Sequence, residues 1–186
     1  AIENYSELTI EGNGDLNGMG AIRSHGGKVT INGGTFTGTS NWSTGTYQHL
    51  LKAENTEVVI NGGTFDATIG GTNNAMINVS ENSVVTINGG TYEGCEEGYA
   101  EGGNSVVYAS SGNVVNIYGG TVKALAADKT SYADKTEGVY AALNVADNNG
   151  MINVYGGSFY KQNPAAPGTE PAAWNAAHAN GFVAEG

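Results

Sequence analysis

Cysteine, proline and arginine are almost absent from this chain. A single cysteine, Cys95, rules out an internal disulfide, and no Cys/His spacing resembles a zinc site. Three prolines in 186 residues, with only 13% charged residues, do not match the Pro-rich, highly charged composition of disorder, so the chain is expected to fold. One arginine, Arg23, and a formal net charge of -11 leave no basic stripe to neutralise phosphates; nucleic-acid binding and attachment to anionic lipid are disfavoured. No apolar run reaches the length of a membrane-spanning helix, so no membrane insertion is expected. The first residues show neither an initiator Met nor the basic-then-apolar pattern of a signal peptide, and an excised or processed piece of a longer protein is expected.

What the chain has in quantity is glycine, 30 residues, and the glycines recur in a pattern. Val29-Thr-Ile-Asn-Gly-Gly-Thr-Phe36 returns as Val58-Val-Ile-Asn-Gly-Gly-Thr-Phe65, Val85-Thr-Ile-Asn-Gly-Gly-Thr-Tyr92, Val115-Asn-Ile-Tyr-Gly-Gly-Thr-Val122 and Ile152-Asn-Val-Tyr-Gly-Gly-Ser-Phe159. An imperfect earlier copy starts at Leu8. The first glycine of the pair falls at 33, 62, 89, 119 and 156, so copies are separated by 29, 27, 30 and 37 residues. A repeat of this size is one structural unit whose length differences are absorbed in loops.

Inside each copy, apolar and polar residues alternate with the period of a strand that has one buried face. The Gly-Gly pair allows a sharp bend, and a second short strand follows it, carrying Phe36, Phe65, Tyr92, Val122 and Phe159 in register. About twelve residues before each pair lies a third apolar segment: Ala21-Ile-Arg, Leu50-Leu-Lys, Ile77-Asn-Val, Val107-Tyr-Ala and, with one extra residue, Leu143-Asn-Val145. Three short strands per repeat, with inward residues piling into columns, predict an all-β, right-handed parallel β-helix of about six coils. The helix is expected over 1–161. The segment 162–186 is expected to form a C-terminal cap, with a short helix across Ala172–His178 and Trp174 over the last coil. The N-terminal end has no comparable cover in the sequence, so further chain or a partner subunit is expected there. Asn32, Asn61 and Asn88 are expected to stack as a polar ladder at the bend.

The repeats are scaffold, so selectivity must come from outward faces or from loops that vary in length. Four such loops, roughly 39–49, 68–76, 95–106 and 125–142, follow the same strand of the coil and should leave the rod on one side. They carry Trp42, Tyr47, Tyr99, Tyr132 and Tyr140, rings of the kind sugars stack against. The favoured reading is that the rings pin their own loops; the sharper one makes Trp42, Tyr47, Tyr99 and Tyr132 a glycan platform. Glu93, Glu96, Glu97 and Glu101, beside Cys95, could hold Ca²⁺, although a solvated acidic loop is the simpler outcome because no EF-hand spacing accompanies them. No cofactor is otherwise expected. His25, His49 and His178 have no obvious partners and read as surface or packing residues. The threonine rank Thr35, Thr64, Thr91, Thr121 and Ser158 lacks a second threonine rank beside it, since its neighbour reads Thr30, Val59, Thr86, Asn116 and Asn153, so an ice-binding face is disfavoured.

On the Ile-Asn-Gly-Gly-Thr-Phe copies, the chain resembles the pectin-lyase-like right-handed β-helix superfamily, and more narrowly the Gly-Gly-Thr-Phe repeat proteins of gut bacterial surfaces and their phages. The resemblance covers 8–161 and extends to the ending from Asn163 to Gly186. It implies an extracellular place, on a bacterial cell surface or a phage particle, and two functions. One is a non-catalytic attachment or display module contacting glycan or a host or surface protein. The other is a polysaccharide lyase or glycoside hydrolase. A calcium-type lyase needs a carboxylate cluster with an Arg or Lys base beside it, and a hydrolase needs paired carboxylates. Arg23, Lys28 and Lys52 are the available bases, but no acidic cluster lies at matching strand positions, so no catalytic residue is assigned.

Overall fold

The structure, a computed structural model, describes residues 2–18, 20–38, 49–67, 75–95, 105–125, 141–145, 149–160, 174–175 and 182–185. Coil one consists of β1 (Ile2–Asn4), β2 (Glu7–Ile10) and β3 (Asp15–Gly18). Coil two is β4 (Ile22–Ser24), β5 (Lys28–Ile31) and β6 (Thr35–Gly38); coil three is β7 (Leu51–Glu54), β8 (Glu57–Ile60) and β9 (Thr64–Ala67). Coils four and five are β10 (Ala75–Ser80), β11 (Val84–Ile87), β12 (Thr91–Cys95) and β13 (Ser105–Ala109), β14 (Val114–Ile117), β15 (Thr121–Leu125). Coil six is β16 (Ala141–Val145), β17 (Met151–Val154) and β18 (Ser158–Tyr160). Each strand pairs in parallel with its copies in the adjacent coils, giving a first sheet β1-β4-β7-β10-β13-β16, a second β2-β5-β8-β11-β14-β17 and a third β3-β6-β9-β12-β15-β18. The chain is a right-handed parallel β-helix of six coils, and the described residues include no helix.

The alternation read in the sequence decides what is inside. Val29, Val58, Val85, Val115 and Ile152 form one fully buried column, and Ile31, Ile60, Ile87, Ile117 and Val154 another. Phe36, Phe65 and Tyr92 stack ring on ring across three coils, with centroids 4.5 and 4.9 Å apart. Each such side chain withdrawn from water contributes roughly 1.5–3 kcal/mol. The two glycines of the bend have different reasons to be glycine. The second, at 34, 63, 90, 120 and 157, takes φ between 104° and 114°, closed to other residues. The first has no left-handed φ; instead a Cβ on Gly119 or Gly156 would sit 2.6 Å from the Asn88 carbonyl oxygen or 2.4 Å from that of Tyr118, in the coil before.

One register differs from the count along the chain. Counting back from the glycines aligns Ala21 and Leu50 with Ile77, whereas the strands pair Ile22 with Leu51 and Leu51 with Ile77. The cause is the corner between the first and second sheets. Two residues, Tyr5 and Ser6, bridge it in coil one, and three, His25 to Gly27, in coil two. Four residues, Ser80 to Ser83, separate Val79 from Val84 in coil four, with Glu81 and Asn82 at φ 54° and 58°. A buried polar spine runs up this widening corner. Asn4 Nδ2 donates to Ser24 Oγ at 2.9 Å, Thr56 Oγ1 donates to Ser24 Oγ at 3.0 Å, and the backbone N–H of Ser83 donates to Asn113 Oδ1 at 2.8 Å.

At the C-terminal end the chain reverses. β19 (Trp174–Asn175) pairs antiparallel with β18, and β20 (Phe182–Glu185) pairs antiparallel with β17. The helix expected across Ala172–His178 is therefore corrected at its centre, where Trp174 and Asn175 are strand. Open backbone donors and acceptors on the last coil offer those residues a ladder, and a short Ala-rich stretch has little helical stability of its own to set against it.

Candidate functional site

The four long connections leave the third sheet after Gly38, Ala67, Cys95 and Leu125 and re-enter the first sheet at Leu51, Ala75, Ser105 and Ala141. They therefore start and finish along a single corner of the rod. Trp42, Tyr47, Tyr99, Tyr132, Glu96, Glu97 and Glu101 lie outside the described residues. Glu93 is described: it sits on β12 opposite Lys123 of β15, whose Nζ donates to its Oε1 at 2.8 Å. Its carboxylate is thus engaged with a cation on the neighbouring strand. Among the described residues no three His, Cys, Asp or Glu side chains are arranged to hold a metal ion.

A polar group on the described surface joins Arg23 and Lys52 to acidic and histidine residues that the sequence reading did not connect with them. Parallel register places Glu3, Arg23 and Lys52 in one outward rank of the first sheet. Arg23 Nε donates to Glu54 Oε2 at 3.0 Å, and Lys52 Nζ reaches Glu54 Oε1 at 2.5 Å. His25, at the adjoining corner, places Nδ1 3.0 Å from Glu54 Oε2 and Nε2 2.6 Å from Glu3 Oε2. The Tyr5 ring lies over the imidazole at 4.8 Å. His25, read from sequence as partnerless, has three partners here. The clue was arithmetic: Arg23 and Lys52 are 29 residues apart, the same as Gly33 and Gly62, but their meeting needed the register.

Glu54 is 8% exposed at its side chain. Burial pushes its carboxyl up, but the hydrogen bonds from Arg23 and Lys52 outweigh that and hold it below the usual carboxylate range. The same bond to Glu54 raises Arg23 further above its ordinary value. Both groups are thus held in their charged forms, paired with each other. Lys28 and Lys52, the other bases considered, lie 2.7 Å from Glu57 Oε1 and 2.5 Å from Glu54 Oε1.

A second polar assembly marks the bend between the second and third sheets. Asn88 Nδ2 donates to Asn61 Oδ1 at 2.8 Å, Asn61 Nδ2 to Asn32 Oδ1 at 2.6 Å, and Asn32 Nδ2 to Glu11 Oε1 at 2.6 Å. The asparagine ladder expected from the repeats is present, with Glu11 as an unforeseen lowest rung. Above it, Tyr118 and Tyr155 stack at 4.8 Å and remain about half exposed. On the neighbouring face the outward rank is Thr30, Val59, Thr86, Asn116 and Asn153, as read from sequence, and Asn153 Nδ2 donates to Asn116 Oδ1 at 2.9 Å.

His49 is a different histidine. It is 8% exposed and its Nδ1 lies 2.6 Å from the Ala75 carbonyl oxygen. A carbonyl only accepts, so Nδ1 donates a proton to it. Burial, reinforced by nearby Lys52 and Arg23, pulls the ring down to about 4, which leaves it neutral near pH 7. This is the packing histidine expected from sequence.

Comparison of the chain with protein-family models, with curated proteins and with solved structures gives no match in any of the three.

Proposed function

We propose that this protein is a non-catalytic attachment or display module, a β-helical rod carried on a bacterial surface or a phage particle, which contacts a glycan or a surface protein through its side loops. One observation carries this reading: four connections of unequal length begin and end along one corner of a repetitive scaffold. A rigid frame that concentrates its variable segments on one side is how repeat folds present binding residues. Trp42, Tyr47, Tyr99 and Tyr132 belong to those connections and offer ring faces suited to sugars. Three of the described outward carboxylates add support, because Glu54, Glu57 and Glu93 each pair with a cation, Glu93 doing so beside Asp66 of the neighbouring strand. A glycosidase mechanism needs two carboxyl groups free to exchange protons and attack.

A glycan array probed with the wild-type chain and with Trp42→Ala and Tyr132→Ala tests this. Binding that falls about tenfold or more in either variant is expected, the loss of one stacked ring. Unchanged binding in both removes these rings from the contact. Incubation with plant and gut polysaccharides, followed for new reducing or unsaturated ends, is expected to give none; chelator-sensitive cleavage would instead establish the lyase.

A further inference from the structure

Asn32, Asn61 and Asn88 are each followed by glycine, and each stands in the same pentapeptide, Ile-Asn-Gly-Gly-Thr. Asn-Gly is the dipeptide most open to succinimide formation, because the following amide nitrogen carries no side chain to hinder its attack. Local sequence thus gives the three sites the same intrinsic reactivity. Their surroundings differ, and Glu11 is the reason. A carboxylate can only accept, so Asn32 must turn Nδ2 toward it; Asn32 Oδ1 then faces Asn61, and the orientation is handed up the ladder. Asn32 and Asn61 are consequently held at both ends of the amide. Asn88 is held only through Nδ2. The next rung is Tyr118, and among the described residues no donor reaches Asn88 Oδ1.

We infer that Asn88 is the deamidation site of the ladder, and that Asn32 and Asn61 are protected by it. The Gly89 amide nitrogen gives up its proton and attacks Asn88 Cγ; the Cγ–Nδ2 bond breaks and the nitrogen departs as ammonia. Water then opens the five-membered imide at either carbonyl, leaving aspartate or isoaspartate. No oxidant or cofactor enters. To present Cγ to the attacking nitrogen the amide must rotate out of the ladder, which breaks one hydrogen bond at Asn88 and two at Asn61. One hydrogen bond of difference corresponds to a rate ratio on the order of fivefold. The product is self-reinforcing: a carboxylate at position 88 has no donor for Asn61 Oδ1, so the rung is lost, and Asn61 in turn becomes half held.

The test is peptide mapping by mass spectrometry after incubation in mildly alkaline buffer, with isoaspartate detected by enzymatic methylation. In the native chain the initial rate at Asn88 should exceed that at Asn61 and Asn32 on the order of fivefold; in denaturant the three rates should converge. Equal native rates, or Asn61 faster than Asn88, would overturn the inference. Tyr118→Asn supplies a donor for Asn88 Oδ1 at an exposed position, and should slow Asn88 to the rate of Asn61 while the fast site moves to position 118. An Asn88 that stays fast in this variant would also overturn it. Glu11→Leu frees Asn32 Nδ2 and should accelerate Asn32 alone.

Discussion

His49 illustrates how a single side chain ties this rod to pH. Burial holds its ring at about 4 in the folded chain against 6.5 in the unfolded one, so the unfolded state binds the extra proton first as the solution is acidified. The stabilising contribution is complete above pH 6.5 and is lost as pH falls toward 4, about 3 kcal/mol over that window. Replacing His49 with Asn keeps a donor for the Ala75 carbonyl and removes the titration. Urea unfolding should therefore find the variant close to wild type at neutral pH and flatter between pH 6.5 and 4. A variant as acid-sensitive as wild type across that window would show that another group governs it. Neutrality at His49 was not legible in the sequence, since it rests on burial between coils. The inward residues were legible, because their period of two repeats in every copy.

At the scale of the element, the unit is the bend. Its two glycines look interchangeable in the motif, yet one answers to its own backbone angle and the other to the carbonyl of the coil before it. The second requirement varies along the rod. A Cβ at Gly62 would meet the Asn32 oxygen at 3.4 Å, an ordinary contact, whereas at Gly119 it would meet the Asn88 oxygen at 2.6 Å. Gly119→Ala should therefore cost about 2 kcal/mol more than Gly62→Ala, read as a lower denaturant midpoint at unchanged m-value. Equal costs would mean that the coils shift apart easily and that the first glycine is dispensable throughout. The corner between the first and second sheets gives the complementary lesson. It lengthens from two residues at Tyr5 and Ser6 to four at Ser80 to Ser83, and no repeated motif marks the change. Left-handed Asn55, Glu81 and Asn82 absorb it, so the register of the first sheet had to be seen rather than counted.

The whole molecule is a stack in which each coil touches only its neighbours, so protection from solvent should follow position in the stack. Val58, Ile60, Val85 and Ile87 in the middle coils are fully buried, while Leu8, Ile10 and Leu16 of coil one and Leu143 and Val145 of coil six are only partly so. Hydrogen exchange should be slowest in β8, β11 and β14 and faster by on the order of tenfold or more in β1 to β3 and β16, which open without disturbing the centre. Uniform protection from end to end would indicate that the stack unfolds as one unit. At this scale sequence and structure divide the work clearly. Periodicity alone determined the fold, the three strands of each coil, the inward columns and the asparagine ladder, because a repeated sequence must make repeated contacts. Which outward side chains meet was decided only by the stacking. Arg23, Lys52, Glu54, His25 and Glu3 come from three successive coils, and residues some thirty positions apart become neighbours only once the register between coils is set.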